Sequence, residues 1–311
     1  MLYNKKKVSL QINISPSDYP SAKFILPHQL SALTDQVDET VLIIESKPSK
    51  GRFSFGWQEN ESKLKGLLND LSQDYKIRVI SVDYSEKAKE KIAKYFFGIN
   101  HIPDKDFRGG PFYCYFFGLY HCKNDLVLHL DADIFLGGRS STWITEAADI
   151  FAENNSVFCV CPLPGPPADD EKLIGQYIIH KFEDSSYKFQ LGGFSTRIFL
   201  ILKSLIHQKK LRLKKPRLKY QLKALISRNA NADLPENFVS DFMSEHHLKR
   251  IDFLGKGKGL WSLHPPYRNA FFYENLPSII KRIEKNDLPE SQKGFYDIVD
   301  EVCDWNDVKI K

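Results

Sequence analysis

The sequence predicts an α/β chain: a central, mostly parallel sheet flanked by helices, with a helical C-terminal tail. Three observations predict it. From residue 7 to 136, short apolar runs alternate with segments of helical periodicity, the order that right-handed strand–helix–strand crossovers produce. The run LVLHLDADIFL (126–136) is almost continuously apolar, as a strand buried on both faces should be. The 311 residues are 42% hydrophobic and 13% aromatic, enough for a sizeable core and too apolar for a disordered chain.

KVSLQINIS (7–15) alternates like a strand and ends in the turn signal SPSDYP. Phe24, Ile25, Leu30 and Leu33 recur at helical spacing in 21–36, where Pro27 predicts a kink or an early turn. A second strand (39–46), a polar loop with Gly51 and Gly56, an amphipathic helix (62–73), a third strand (75–85) and a helix (86–98) follow. In RGGPFYCYFFGLYHC (108–122), Pro111 suits the first position of a helix entered from Gly109 and Gly110. The strand 124–136 comes next. Beyond Gly138 the sequence reads as a helix (141–154), a strand (156–164) stopped by PLPGPPADD, a strand-to-helix segment (189–205), a helix (237–250) and a tail after Pro266. Neither an internal repeat nor a low-complexity tract is present.

The net charge of +5 conceals a local concentration. Residues 203–228 carry ten Lys and Arg and no acid, so the remainder of the chain is net acidic. Leu211, Leu213, Leu218, Leu222 and Leu225 intersperse these charges. A solvated helix face and an attraction to anionic lipid headgroups are both open readings, and Pro216 prevents one continuous helix. No nucleic-acid reader module accompanies the segment. No apolar run approaches the roughly 20 residues needed to span a bilayer, and the start of the chain lacks a signal-peptide pattern. The expected location is cytoplasmic, with a peripheral contact at the inner membrane face if the lipid reading of 203–228 holds. The five cysteines (114, 122, 159, 161, 303) form no zinc knuckles and are expected to be reduced core thiols.

Asp131 and Asp133 stand out, because an unpaired buried carboxylate costs several kcal/mol or more, to order of magnitude. On a strand, residues two apart share a face, so the two carboxylates converge with Ala132 turned away. A divalent cation with oxygen ligands, Mn²⁺ or Mg²⁺, resolves the repulsion. The pair lies at the carboxyl end of a strand, where open α/β sheets hold ligands. If the strand stops at Leu130, the aspartates instead belong to a turn.

The apolar–Asp-Ala-Asp–apolar segment resembles the DXD motif of GT-A type glycosyltransferases. The order GGPFYCYFFGL, LVLHLDADIF, LGGFSTRIF (191–199), SDFM (240–243) and a late His264 in LWSLHPPYR is similar to glycosyltransferase family 2. The resemblance implies a GT-A-like (Rossmann-like) catalytic domain over 1–265. Its nucleotide-sugar-binding half is 7–136, its acceptor-side half is 137–265, and 266–311 is a C-terminal extension. The chain departs from the family in the helix before the DXD strand, where Cys114, Tyr115, Phe116 and Gly118 replace the usual Ala-Arg-Asn pattern. Ser240 stands before Asp241 where Glu is usual, and Glu45 stands where Asp is usual.

What the resemblance implies is a nucleotide-diphosphate sugar donor, first of all a UDP-sugar, and a glycan or lipid-linked acceptor in the synthesis of a cell-surface or secreted glycan. Asp131, Asp133 and His264 are the implied metal ligands for Mn²⁺ or Mg²⁺, with Asp131 on either metal or ribose. Asp241 is the expected base of an inverting transfer, with Glu236 and Glu245 in reserve. Ser15, Glu45, Asp83, Gly110, Asp131 and Gly193 are the expected donor contacts. A retaining GT-A transferase and an inactive nucleotide-sugar- or glycan-binding remnant are the alternatives. A haloacid dehalogenase-type phosphatase, which also uses Asp-x-Asp, is disfavoured by Phe135 and by the three strands preceding the motif.

Overall fold

The computed structural model describes residues 6–48, 55–183 and 185–309. Gly51 of the expected polar loop lies outside them. The first half alternates as expected: β1 (Val8–Ile14), α1 (Tyr19–Leu33), β2 (Glu39–Ile44), α2 (Trp57–Asp74), β3 (Ile77–Ser81), α3 (Glu86–Phe97), α4 (Tyr113–His121) and β4 (Leu126–Asp131). The second half contains β5 (Phe135–Gly137), α5 (Trp143–Glu153), β6 (Val157–Pro164), β7 (Ile178–Lys181), β8 (Lys188–Leu191) and β9 (Ile198–Leu202). It continues through α6 (Lys203–Lys209), α7 (Leu218–Ile226), α8 (Pro235–Glu245), β10 (Lys249–Phe253), β11 (Trp261–Leu263), α9 (Ala270–Lys285) and α10 (Asn306–Lys309).

The sheet runs β3-β2-β1-β4-β9-β6-β10-β8-β7, with β11 joining β5 to the end of β6. Strands β3, β2, β1 and β4 are parallel, β9 is antiparallel to both β4 and β6, and β10 is parallel to β6. The order reverses at β1, because β2 follows on one side and β4 lies on the other. A crevice therefore opens between the carboxyl ends of β1 and β4, the position at which open α/β sheets bind ligands. Asn13 and Asp131 are register partners there.

The central strand is covered on both faces: in β4 every residue from Leu126 to Leu130 is buried. Gly118 lets α4 lie directly on β1, since a Cβ there would stand 2.3 Å from the Gln11 amide. Likewise, a Cβ on Gly137 would stand 2.0 Å from the Trp261 ring, so Trp261 is a core residue. All five cysteines are free and buried, as expected.

Two helix boundaries differ from expectation. First, of the kink or early turn expected at Pro27, the early turn does not occur: α1 runs on to Leu33. An interior proline costs about 3 kcal/mol, and tertiary contacts offset it: Ile25, Leu26, Leu30 and Leu33 are fully buried. The flanking His28 and Gln29 also bond to the end of β4, the turn after it and β5. Second, α4 begins at Tyr113, two residues beyond Pro111. Gly109 takes a φ of +80°, and the chain first closes a turn around Asp106, whose carboxylate accepts from the N–H groups of Arg108 and Gly110.

Candidate active site

Strand β4 stops at Asp131, and Ala132 and Asp133 form a turn before β5. Strand parity therefore does not bring the two carboxylates together. The turn does, and α1 clamps it: the Gln29 Nε2 amide donates to the carbonyls of Asp131 (2.9 Å) and Ile134 (2.8 Å). His28 Nε2 accepts from the Leu136 N–H at 3.0 Å. The carboxylates are 25% and 29% exposed at the mouth of the β1/β4 crevice.

Their surroundings differ. Asp131 accepts from the Tyr115 hydroxyl (3.2 Å) and pairs with His129 Nε2 (3.2 Å). Burial and the neighbouring Asp133 push its pKa well above the usual carboxylate range. Burial also holds His129 down to about 3, so its ring is neutral. For Asp133, burial acts upward but is outweighed by Arg268, His264 and Arg197, and its pKa is lowered. The Arg268 guanidinium bonds one Asp133 oxygen, while the other, Oδ1, is buried without a hydrogen-bond partner. Asp18 lies in the same field. Burial, together with Asp133 and Asp131, raises it to about 7 against the pull of the Ser15 N–H bond.

His264 sits beside this pair, its Nδ1 bonded to Asp297 Oδ1 at 2.8 Å and its ring stacked on Tyr296. Among the described residues, however, no three His, Cys, Asp or Glu side chains are gathered as a metal site. The expected triad of Asp131, Asp133 and His264 is thus not assembled, because Arg268 occupies one side of Asp133 and Tyr115 and His129 engage Asp131. The residues present do fit a divalent cation that draws its other ligands from a bound substrate. The partnerless Asp133 oxygen would provide one ligand, with Asp131 adjacent, while Asp297 holds the His264 ring nearby.

The base expectation changes most. In α8, Asp241 pairs with Lys214 and borders a small basic cleft with Lys210 and Arg212. Five residues of helix turn it about 140° from Glu236. Glu236 instead accepts from Thr196 Oγ1 at 2.7 Å, and its charge is felt at Asp131 and Tyr115. Ser240, one turn on from Glu236, receives the Phe194 N–H. Glu245 lies with Asp241 on the basic side.

The expected donor contacts are dispersed. Ser15 caps the short helix after β1 in a reciprocal box with Asp18, at the edge of the crevice. Glu45 is buried, with both oxygens engaged by Tyr84, Lys105 and the Lys47 N–H. Asp83 is exposed and accepts from the Ser85 N–H, and that bond together with one from the Ser85 hydroxyl lowers its pKa. The Gly110 N–H is taken by Asp106, so it is not a free donor for a ligand. Gly193 has φ +75° and forms the β8–β9 turn, and Gly192 packs under Tyr177.

A cavity of about 260 Å³ adjoins the aspartates and shares Arg197 with them. Its walls include Ser195, Gln176, Ser262 and the buried Arg250–Asp252 pair, bonded through two 2.7 Å contacts. The Ser262 hydroxyl is buried without a partner. Arg268, Tyr296 and Asp297 come from the segment after residue 265. No motif spacing links them to Asp133, and only folding brings them there. Arg197 and Tyr115 lie inside the quoted motifs, but their roles carry no local signature.

No family model matches the sequence, and no curated protein matches it. Solved structures with a similar arrangement include S. aureus TarS in complex with UDP-GlcNAc, at 10% identity and TM-score 0.42, covering 92% of this chain and 68% of that one. An active-site mutant of LgtC matches at 11% identity and TM-score 0.41, over 92% of this chain and 99% of that one. The inositol-1-phosphate CTP transferase from T. maritima matches at 13% and 0.41, over 90% and 98%. Against another TarS structure the chain spans 60% of the neighbour's length.

Proposed function

We propose that this protein is a glycosyltransferase that moves a sugar from a nucleotide-diphosphate donor, a UDP-sugar first, to a hydroxylated glycan or lipid-linked acceptor. The observation that carries the reading is the Asp131–Asp133 turn at the β1/β4 switch point, with Arg268 and Arg197 beside it. The nucleoside enters the crevice near Ser15 and Asn13. The diphosphate meets the two guanidinium groups, which stabilise the charge that develops on the leaving group. A Mn²⁺ or Mg²⁺ ion held by Asp133 with Asp131 adjacent would supply further Lewis-acid neutralisation of that charge.

The polar cavity beside Arg197 suits a polyhydroxyl ring, since Ser262, Ser195, Gln176 and the Arg250–Asp252 pair offer both donors and acceptors. Glu236 takes the proton of the attacking acceptor hydroxyl as that oxygen bonds the anomeric carbon and the bond to diphosphate breaks, with inversion. Thr196 orients the Glu236 carboxylate for this role.

The test is nucleoside-diphosphate release from a panel of nucleotide sugars, with and without Mn²⁺, by wild type and Asp133→Ala. Metal-stimulated release that disappears in the variant is expected. Release unchanged by Asp133→Ala, or no turnover and no thermal stabilisation with any donor, would refute the reading.

A further inference from the structure

The basic segment 203–228 divides into two parts of different character. Its first part folds back on the body. Leu211 is buried, Leu213 packs against a core cluster, Lys210 Nζ bonds the Tyr95 carbonyl at 2.8 Å, and Lys214 pairs with Asp241. The second part is α7, and it is held from one side only. The Tyr220 ring stacks on Phe107 at 5.0 Å, Ala224 is 1% exposed, and the Asn229 side-chain amide donates to the Phe107 carbonyl just beyond the helix.

The opposite side is apolar and faces outward. Leu218, Leu222, Leu225 and Ile226 are 79%, 64%, 75% and 83% exposed. At about 100° per residue these four fall within an arc of roughly 100°, and Tyr220 and Ala224 fall across the helix from them. Scattered exposed leucines need no explanation, but a stripe of four on a single nine-residue helix does. Around it stand the exposed Lys215, Arg217, Lys219 and Lys223, with no acidic residue anywhere in 203–228.

We infer that α7 docks on an anionic lipid bilayer, with the four apolar side chains entering the headgroup–acyl boundary and the flanking cations reading the negative surface. The charge pattern selects this occupant. An apolar stripe whose own segment carries only cations repels a second copy of itself, whereas it complements a surface of anionic headgroups. No helix among the described residues is long and apolar enough to cross a membrane, so the contact is peripheral. The inference stands independently of the catalytic reading, because α7 carries none of the site residues.

The test is co-sedimentation of the full chain with vesicles of phosphatidylcholine, alone or mixed with phosphatidylglycerol. Binding is expected only with the anionic lipid and should weaken as salt rises. Replacing Leu218, Leu222, Leu225 and Ile226 together by Gln should lower partitioning at least about tenfold. Lys219→Gln and Lys223→Gln should each lower it about fivefold. All these positions are exposed, so an unchanged melting curve verifies that the variants fold. Equal binding to neutral vesicles, wild-type binding by the apolar variant, or a dimer that the apolar variant abolishes without vesicle binding would each overturn the inference.

Discussion

Gln29 is the most direct test of how the aspartate turn is held. Its side chain is fully buried, and its Nε2 makes the two bonds that tie α1 to the carbonyls of Asp131 and Ile134. In Gln29→Met the shape is nearly kept and both bonds are lost. At about 1 kcal/mol each, with a further 1–2 kcal/mol for a stranded carbonyl, the cost is roughly 3–4 kcal/mol. Two features reduce it. The Asp131 carbonyl keeps the Ile134 N–H at 3.3 Å, and the variant removes Gln29 Oε1, itself a buried atom without a partner. The net loss is about 1–3 kcal/mol. For a chain of this length, an unfolding entropy near 2.1 cal/mol/K per residue makes this a fall in Tm of roughly 2–5 °C. Gln29→Glu should fall further, because it sets a buried carboxylate against the same two carbonyls. Thermal melts of the three proteins check the order wild type, Met, Glu. A Met variant melting with wild type, or a Glu variant above Met, would refute the clamp.

Exchanging the two α8 acids separates their roles: Glu236→Gln should lower turnover at least about 100-fold, and Asp241→Asn less than about threefold, in the donor–acceptor assay. His28 gives a pH signature. Burial lowers its folded pKa below the ordinary 6.5, so on acidification the unfolded chain binds a proton that the folded chain refuses, and stability falls as pH drops through 6.5. Between pH 7.5 and 5.5 this amounts to at most about 1.4 kcal/mol. Urea midpoints should show a pH-dependent loss in wild type that is smaller in His28→Gln, and parallel curves would contradict it. Two glycines should respond with opposite signs. Gly66→Ala in α2, where a Cβ meets nothing within 4 Å, should stabilise by about 0.5–1 kcal/mol. Gly137→Ala, against Trp261, should destabilise by about 1–3 kcal/mol, and a neutral result there would show that the ring can shift.

The first half of the fold was legible because its signals are local. Strand and helix periodicities in 7–136 depend on which neighbours are apolar, and all eight elements appear in the expected order. Proline was the weak signal. Pro27 lies inside α1 and Pro111 lies ahead of α4, since a buried helix face or a tight Asp106 turn outweighs a proline's own preference. The choice between Asp241 and Glu236 was not legible. Both are acids on one short helix, and only the packing of Phe238, Val239 and Phe242 into the core decides which way each points.

The sequence by itself determined that Asp131 and Asp133 interrupt an apolar, sheet-forming run, and that the positive charge is concentrated in one segment. The tertiary structure decided what those features meet. Arg268 bonds Asp133, the charges of Arg197 and Glu236 act on the aspartates from distant parts of the chain, and α7 turns its leucines outward. The physical reason is the same in each case. Periodicity records which residues share a face of an element, whereas only the packing of elements against one another determines whether that face meets the core, a charge or the solvent.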